Sequence, residues 1–287
     1  MRTTIPELKL CGFIITLILT VLPLNGQQDS TALKQHSPDS AGTVHSLFSG
    51  AAVGYNMMYM GSSISGDKPY YSGGLTYGFR NELYFSAYTY HLNTFDPVIS
   101  FSTFSLVYAH TFNTWFDISL SASRYQVNKD LTDTLFTSFF YGDLTLGFDW
   151  RILYTKLSAG ALFAESNGFY LQIKNSRYFE TPSFLKNNAY FSFDPGVNLL
   201  FGTLTETSEG MVVRPPYSSG RQAGGSSSTS TNTSFSLLEI DFGLPISFNI
   251  GKFTIDAEPG YALPVYKDAP PETKGFVFSL SVFFRIL

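Results

Sequence analysis

From about residue 46 onward, apolar and polar residues exchange places at every second position over long stretches. The clearest stretch is 234–250, where Leu238, Ile240, Phe242, Leu244, Ile246 and Phe248 alternate with Glu239, Asp241, Gly243, Pro245, Ser247 and Asn249. A period of two predicts a strand with two different faces. Ten steps from Leu238 to Phe248 at ~3.3 Å each make ~33 Å, or ~25 Å of height at a tilt near ~40°, which matches the hydrocarbon band of a bilayer. The pattern recurs with Phe253, Ile255, Ala257, Tyr261, Leu263 and Val265 against Thr254, Asp256, Glu258, Gly260 and Ala262, and with Phe276, Phe278, Leu280, Val282, Phe284 and Ile286 against Val277, Ser279, Ser281, Phe283 and Arg285. Leu144, Leu146, Phe148 and Trp150 against Asp143, Thr145, Gly147 and Asp149, and Phe116, Ile118 and Leu120 against Asp117, Ser119 and Ser121, extend it upstream. The runs predict about twelve strands, at 46–60, 69–80, 82–93, 98–111, 115–126, 135–150, 152–165, 168–178, 189–204, 234–249, 253–266 and 275–287. A count of ten is the alternative, with the first and eighth runs the weakest.

The connections test this reading independently, because membrane barrels place short turns on one side and longer loops on the other. Arg80-Asn81, Phe112-Asn113-Thr114, Arg151-Ile152 and Gly251-Lys252 are short, and they are the second, fourth, sixth and tenth connections. The eighth, around Glu180 to Asn188, is longer than this rule expects. Gly61 to Lys68, Asn128 to Thr134, Thr205 to Asn232 and Lys267 to Lys274 are long. The alternation implies an even strand count with both chain ends on the short-turn side. Residues 205–232, with Arg214-Pro215-Pro216 and a Gly/Ser/Thr tract, are expected to form a flexible external loop, since that composition buries too little apolar area to offset ordering.

Composition sharpens the picture. Aromatics reach 17% and charged residues only 14%, against roughly 25% charged in soluble domains, so much of the surface is expected to face something other than water. A net charge of −4 provides no basic footprint for nucleic acid. The only cysteine, Cys11, leaves neither a disulfide framework nor a thiolate metal site. Residues 1–26 read as a secretory signal peptide: Arg2 and Lys9 supply positive charge, Phe13 to Leu24 an apolar core and Gly26 a small residue for cleavage. That core falls short of the ~20 residues a membrane-spanning helix needs, and no later segment comes near ~18 uninterrupted apolar residues. Residues 27–43 form a polar segment, either a periplasmic tail or an insert into the barrel.

A signal peptide, amphipathic strands and an aromatic-rich final strand from Gly275 to Leu287 resemble bacterial outer-membrane β-barrels, and the resemblance covers roughly residues 44–287. It implies an all-β, antiparallel up-and-down transmembrane barrel in the outer membrane of a Gram-negative bacterium, in contact with outer-membrane lipid. It also implies biogenesis by the barrel-assembly machinery, which reads alternate apolar residues ending in an aromatic one. Here Leu287 is last and Arg285 interrupts that register, whereas Phe284, Val282, Leu280 and Phe278 keep it one residue earlier.

Trp115 and Trp150 fall beside predicted periplasmic turns, where amphipathic rings favour the boundary of water and lipid, although two core tryptophans would read the same way. The polar faces carry Asp117, Asp143, Asp149, Lys156, Asp194, Glu239, Asp241, Asp256, Glu258 and Arg285, all inward in this assignment. They form either a charged pore wall or a network of paired charges filling the interior, since twelve strands lie between a filled and an open barrel. Arg285 is expected to approach Asp256 or Glu258 across the last hairpin. Ala164-Glu165-Ser166-Asn167-Gly168 resembles the His-x-Ser-Asn-Gly motif of outer-membrane phospholipases, but alanine replaces the histidine base, so Ser166 has no activator and a tight Asn-Gly turn is the plainer reading. His36, His45, His91 and His110 make no catalytic or metal constellation, and no cofactor is expected. The leading expectation is a narrow, cation-leaning channel for small solutes or ions. The alternatives are a closed barrel displaying external loops to a ligand or partner, and, remotely, a lipid-modifying enzyme.

Overall fold

The computed structural model describes residues 44–132, 134–164, 167–186, 188–207, 231–266, 269 and 271–287. Twelve long strands run antiparallel in chain order and the last pairs with the first, so the sheet closes on itself and leaves no edge. They are β1 (His45–Tyr55), β2 (Pro69–Phe79), β3 (Leu83–Leu92), β4 (Phe101–Asn113), β5 (Phe116–Val127), β6 (Phe139–Asp149), β7 (Tyr154–Phe163), β8 (Gly168–Ser176, resuming at Phe179–Glu180), β9 (Ala189–Phe193 and Gly196–Thr207), β10 (Thr231–Gly243 and Ile246–Ile250), β11 (Phe253–Pro264) and β12 (Gly275–Arg285).

Prolines occupy the interruptions of β9 and β10. Pro195 and Pro245 donate no N–H, but their carbonyls keep the ladder, accepting from Arg177 N at 2.9 Å and Asp194 N at 3.1 Å. The β1 strand ends at Tyr55, five residues before the predicted limit, and the chain turns into a small hairpin, Met58–Tyr59 with Ser62–Ser63. The β9 and β10 strands reach Thr207 and begin at Thr231, so the connection expected at 205–232 is shorter by several residues. Residues 208–230, the signal peptide expected at 1–26 and the polar segment expected at 27–43 lie outside the described residues.

The short turns sit together at one end. Arg80 and Asn81 both adopt left-handed φ, the geometry a two-residue hairpin requires. At the next such turn, Asn113 Oδ1 accepts from Trp115 N at 3.0 Å and Phe116 N at 2.9 Å. The eighth connection belongs to this end, because Ala189 pairs with Ile250 beside the Gly251-Lys252 turn.

Burial alternates with the pattern expected from the sequence, with one correction. Between β9 and β10 the register slips: Leu200 pairs with Glu239 and Phe201 with Leu237, leaving Leu238 as an extra residue. Leu238 therefore belongs to the interior, at 1% exposure, and not to the outward face that its spacing from Ile240 predicted. The extra residue inverts the parity upstream, which keeps Phe235 outward at 54% exposure.

Candidate functional site

The outward faces form an apolar wall. Leu75, Phe85, Leu106, Leu120, Leu144, Phe169, Ile255 and Leu280 stand exposed on strands right around the barrel. Soluble monomers rarely expose contiguous apolar patches beyond a few hundred Å², whereas hydrocarbon satisfies such a band without cost. This is a β-barrel of the outer-membrane type. Among the described residues no helix is long and apolar enough to cross a membrane. Trp115 and Trp150 are more than half exposed at the short-turn rim, and Trp150 Nε1 donates to Thr155 Oγ1 at 3.1 Å.

The barrel's interior has two tiers. On the short-turn side the inward positions carry charge. Tyr154 Oη donates to Asp117 Oδ2 at 2.8 Å, and Ser121 and Thr145 donate to Asp143. Asp241 Oδ2 accepts from Asn198 Nδ2 at 2.8 Å, with Glu239 buried one inward step away. Lys156, Asp194 and Asp256 are buried as well, and Glu258 Oε2 accepts from Ser279 Oγ at 2.9 Å. Asp149 stands apart: it is exposed at the rim, and its Oδ1 accepts from Arg151 N at 2.6 Å. Arg285 has the inward parity, but the residues directly opposite Asp256 and Glu258 are Ser281 and Ser279, four and six positions before it. One more inward cation joins these residues. Lys174, buried and directly opposite Lys156, follows from the alternation Tyr170, Gln172, Lys174, Ser176 in β8. Two ammonium groups in facing positions repel, so carboxylates such as Asp241 within the same tier are what make the pair tolerable.

The tier on the long-loop side is apolar and filled. Tyr70, Tyr88, Tyr90, Phe101, Tyr125, Phe139, Tyr141, Tyr170, Leu200 and Leu238 point inward from eight strands and pack with Met57, Tyr59 and Met60 of the first long connection. That connection reaches across the barrel. The Tyr59 ring lies 5.1 Å from Tyr125 of β5 and 5.8 Å from Phe139 of β6. A Cβ placed on Gly61 would lie 3.4 Å from Leu238 of β10, while Tyr266 Oη donates to the Gly61 carbonyl at 3.2 Å. Neither β5 and β6 nor β9 and β10 adjoin β1 or β2, so these contacts require the connection to cross the interior. It is pinned at its base as well: Met57 N donates to Ser65 Oγ at 2.8 Å, and Thr94 Oγ1 to the Ser65 carbonyl at 2.8 Å.

The tip of this plug is a two-residue turn, Met60-Gly61, with φ of 50° and 80°. Left-handed φ at a methionine costs energy that asparagine or glycine would avoid. Met60 is fully buried, so side-chain burial offsets the backbone cost. The remaining chemistry is sparse. Ser166 lies outside the described residues. His110 Nδ1 meets Glu82 Oε1 at 2.7 Å at the rim, and His91 Nδ1 bonds the Pro97 carbonyl at 3.2 Å. Among the described residues no group of His, Cys, Asp and Glu could hold a metal ion.

No family profile and no curated protein sequence matches the chain. Three solved structures illustrate what it is similar to. CdiB from Acinetobacter baumannii shows 11% identity and a TM-score of 0.33 over 85% of this chain and 60% of that one. OccAB3 from the same organism shows 9% identity and 0.36 over 86% and 66%. The beta domain of the Bordetella autotransporter Brka shows 10% and 0.35 over 84% and 99%. The chain thus spans less than two thirds of the first two.

Proposed function

We propose that this protein is a narrow, cation-leaning passage for small solutes or ions across the outer membrane, closed at rest by its first long loop. The observation that carries the reading is the pairing of a charged inner tier with an apolar plug drawn from a connection rather than from the wall. A plug of apolar side chains excludes water and hence ions, and because it is a connection and not a strand it can leave the interior without breaking the sheet. Inward acidic groups outnumber inward Lys156, Lys174 and Arg285, which favours cations. The reading includes export through the signal peptide, insertion by the barrel-assembly machinery and surrounding lipid as partner, and it assigns no catalytic role.

Planar-bilayer recording tests it. The intact protein is expected to show rare, brief openings, while replacing Met57–Ser65 by a short Gly/Ser linker is expected to give frequent steps with reversal potentials of a cation-selective pore. A plugless barrel that migrates as folded and does not conduct, or that prefers anions, overturns the proposal. Lack of conduction would instead favour a closed barrel displaying its external loops, the second reading that the filled tier supports. In that case deleting Gly220 to Asn232 should abolish partner or ligand binding and leave permeability untouched.

A further inference from the structure

The short-turn rim is unequal around its circumference. From β6 to β11 it carries Arg151, Arg177, Lys186 and Lys252, and there the eighth connection replaces a tight turn with residues 181–188. Arg177 Nη1 donates to the Arg151 carbonyl, and Lys252 Nζ to the Ile286 carbonyl at 3.3 Å. Neutral acceptors hold these cations in place without cancelling their charge. Two rim carboxylates stand nearby, Asp149 accepting from the Arg151 N–H at 2.6 Å and Glu180 from Tyr178 Oη at 2.9 Å, and the four cations outnumber them. Apolar groups stand among the cations: Ile152 is 83% exposed and Leu185 60%. Phe184, beside Leu185, stacks on the outward Phe191 at 5.7 Å between ring centroids. Cations at the edge of an apolar wall, with apolar side chains beside them, suit the boundary where acyl chains give way to phosphate.

We propose that this arc binds the headgroups of anionic phospholipids in the leaflet that meets the short-turn rim. The guanidinium forks of Arg151 and Arg177 would take phosphodiester oxygens, Lys186 and Lys252 would add long-range attraction, and Ile152 and Leu185 would dip among the upper acyl carbons. The exposed Arg80, at the β2–β3 turn, lies outside the arc and provides a control.

Both tryptophans report on the arc's edge, since Trp115 and Trp150 flank the Asp149 N to Trp115 carbonyl hydrogen bond of 2.9 Å. The protein is reconstituted in phosphatidylcholine vesicles containing the same fraction of either brominated phosphatidylglycerol or brominated phosphatidylcholine, and quenching of intrinsic fluorescence is titrated. The phosphatidylglycerol probe is expected to associate roughly threefold or more tightly. Arg151→Gln with Arg177→Gln should erase that preference, and Arg80→Gln should retain it. Equal quenching by the two lipids in the unaltered protein, or a preference that survives the arginine pair, overturns the proposal. Should the arginine variant not fold, Lys186→Gln with Lys252→Gln decides: a reduced preference supports the arc, and an unchanged one overturns it.

Discussion

At the scale of single residues, the side of the wall on which a side chain sits decides what a substitution costs. Leu244 is exposed on the outward face, six residues above the end of β10 and thus near the middle of the apolar band. Leu244→Arg is expected to destabilise the inserted barrel by about 2–4 kcal/mol, read from urea unfolding in lipid vesicles. Asp241 faces the other way and accepts a hydrogen bond from Asn198. Asp241→Asn keeps the size and a polar partner, so a loss of about 1 kcal/mol is expected in the same assay. Comparable losses at the two positions would contradict the facing assignment. Gly202 shows how tightly the plug tier is filled: a Cβ there would come within 2.6 Å of Leu238 Cδ1 and 2.8 Å of the Tyr170 ring. Gly202→Val should therefore cost about 1–3 kcal/mol by overpacking, measured by the same unfolding curves.

At the scale of elements, the bulge in β10 makes a prediction that simple alternation does not. Spin labels on cysteines introduced at Phe235 and Leu237 should be relaxed by oxygen in the bilayer, whereas labels at Ser236 and Leu238 should not. The same labelling would show the reverse at Leu237 and Leu238 if Leu238 continued the alternation of Ile240 and Phe242. Omitting residues 1–26, and Cys11 with them, would leave a chain free of competing thiols. The strands were legible in the sequence because hydrocarbon demands an apolar residue at every second position, and that demand leaves a periodic trace. The bulge was not, since Leu238 is as apolar as the outward residues it appears to join, and inserting one residue between apolar neighbours leaves no break in composition. Lys174 was legible from the parity of β8 but belonged to a short run with weak contrast. The first loop was the largest loss. Met57 to Met60 look like the end of a strand, and nothing in their pattern distinguishes a loop that folds into the barrel from one that leaves it. The contacts of Tyr59 with β5 and β6 are made across a distance that local sequence does not encode.

At the scale of the whole molecule, two apolar surfaces coexist that would compete in water: the outward band and the plug. They are compatible because a closed sheet separates them. Aromatic content of 17% with 14% charged residues is what such a shell needs, since the exterior meets hydrocarbon and the ends meet water. The most direct test is to refold the chain without residues 1–26 beside lipid vesicles and then float the vesicles on a density gradient after washing in alkaline carbonate. The account predicts that the protein floats with the vesicles, resists the wash and migrates faster on gels before heating than after. A protein that remains in the aqueous layer as a folded monomer with no detergent present would contradict it.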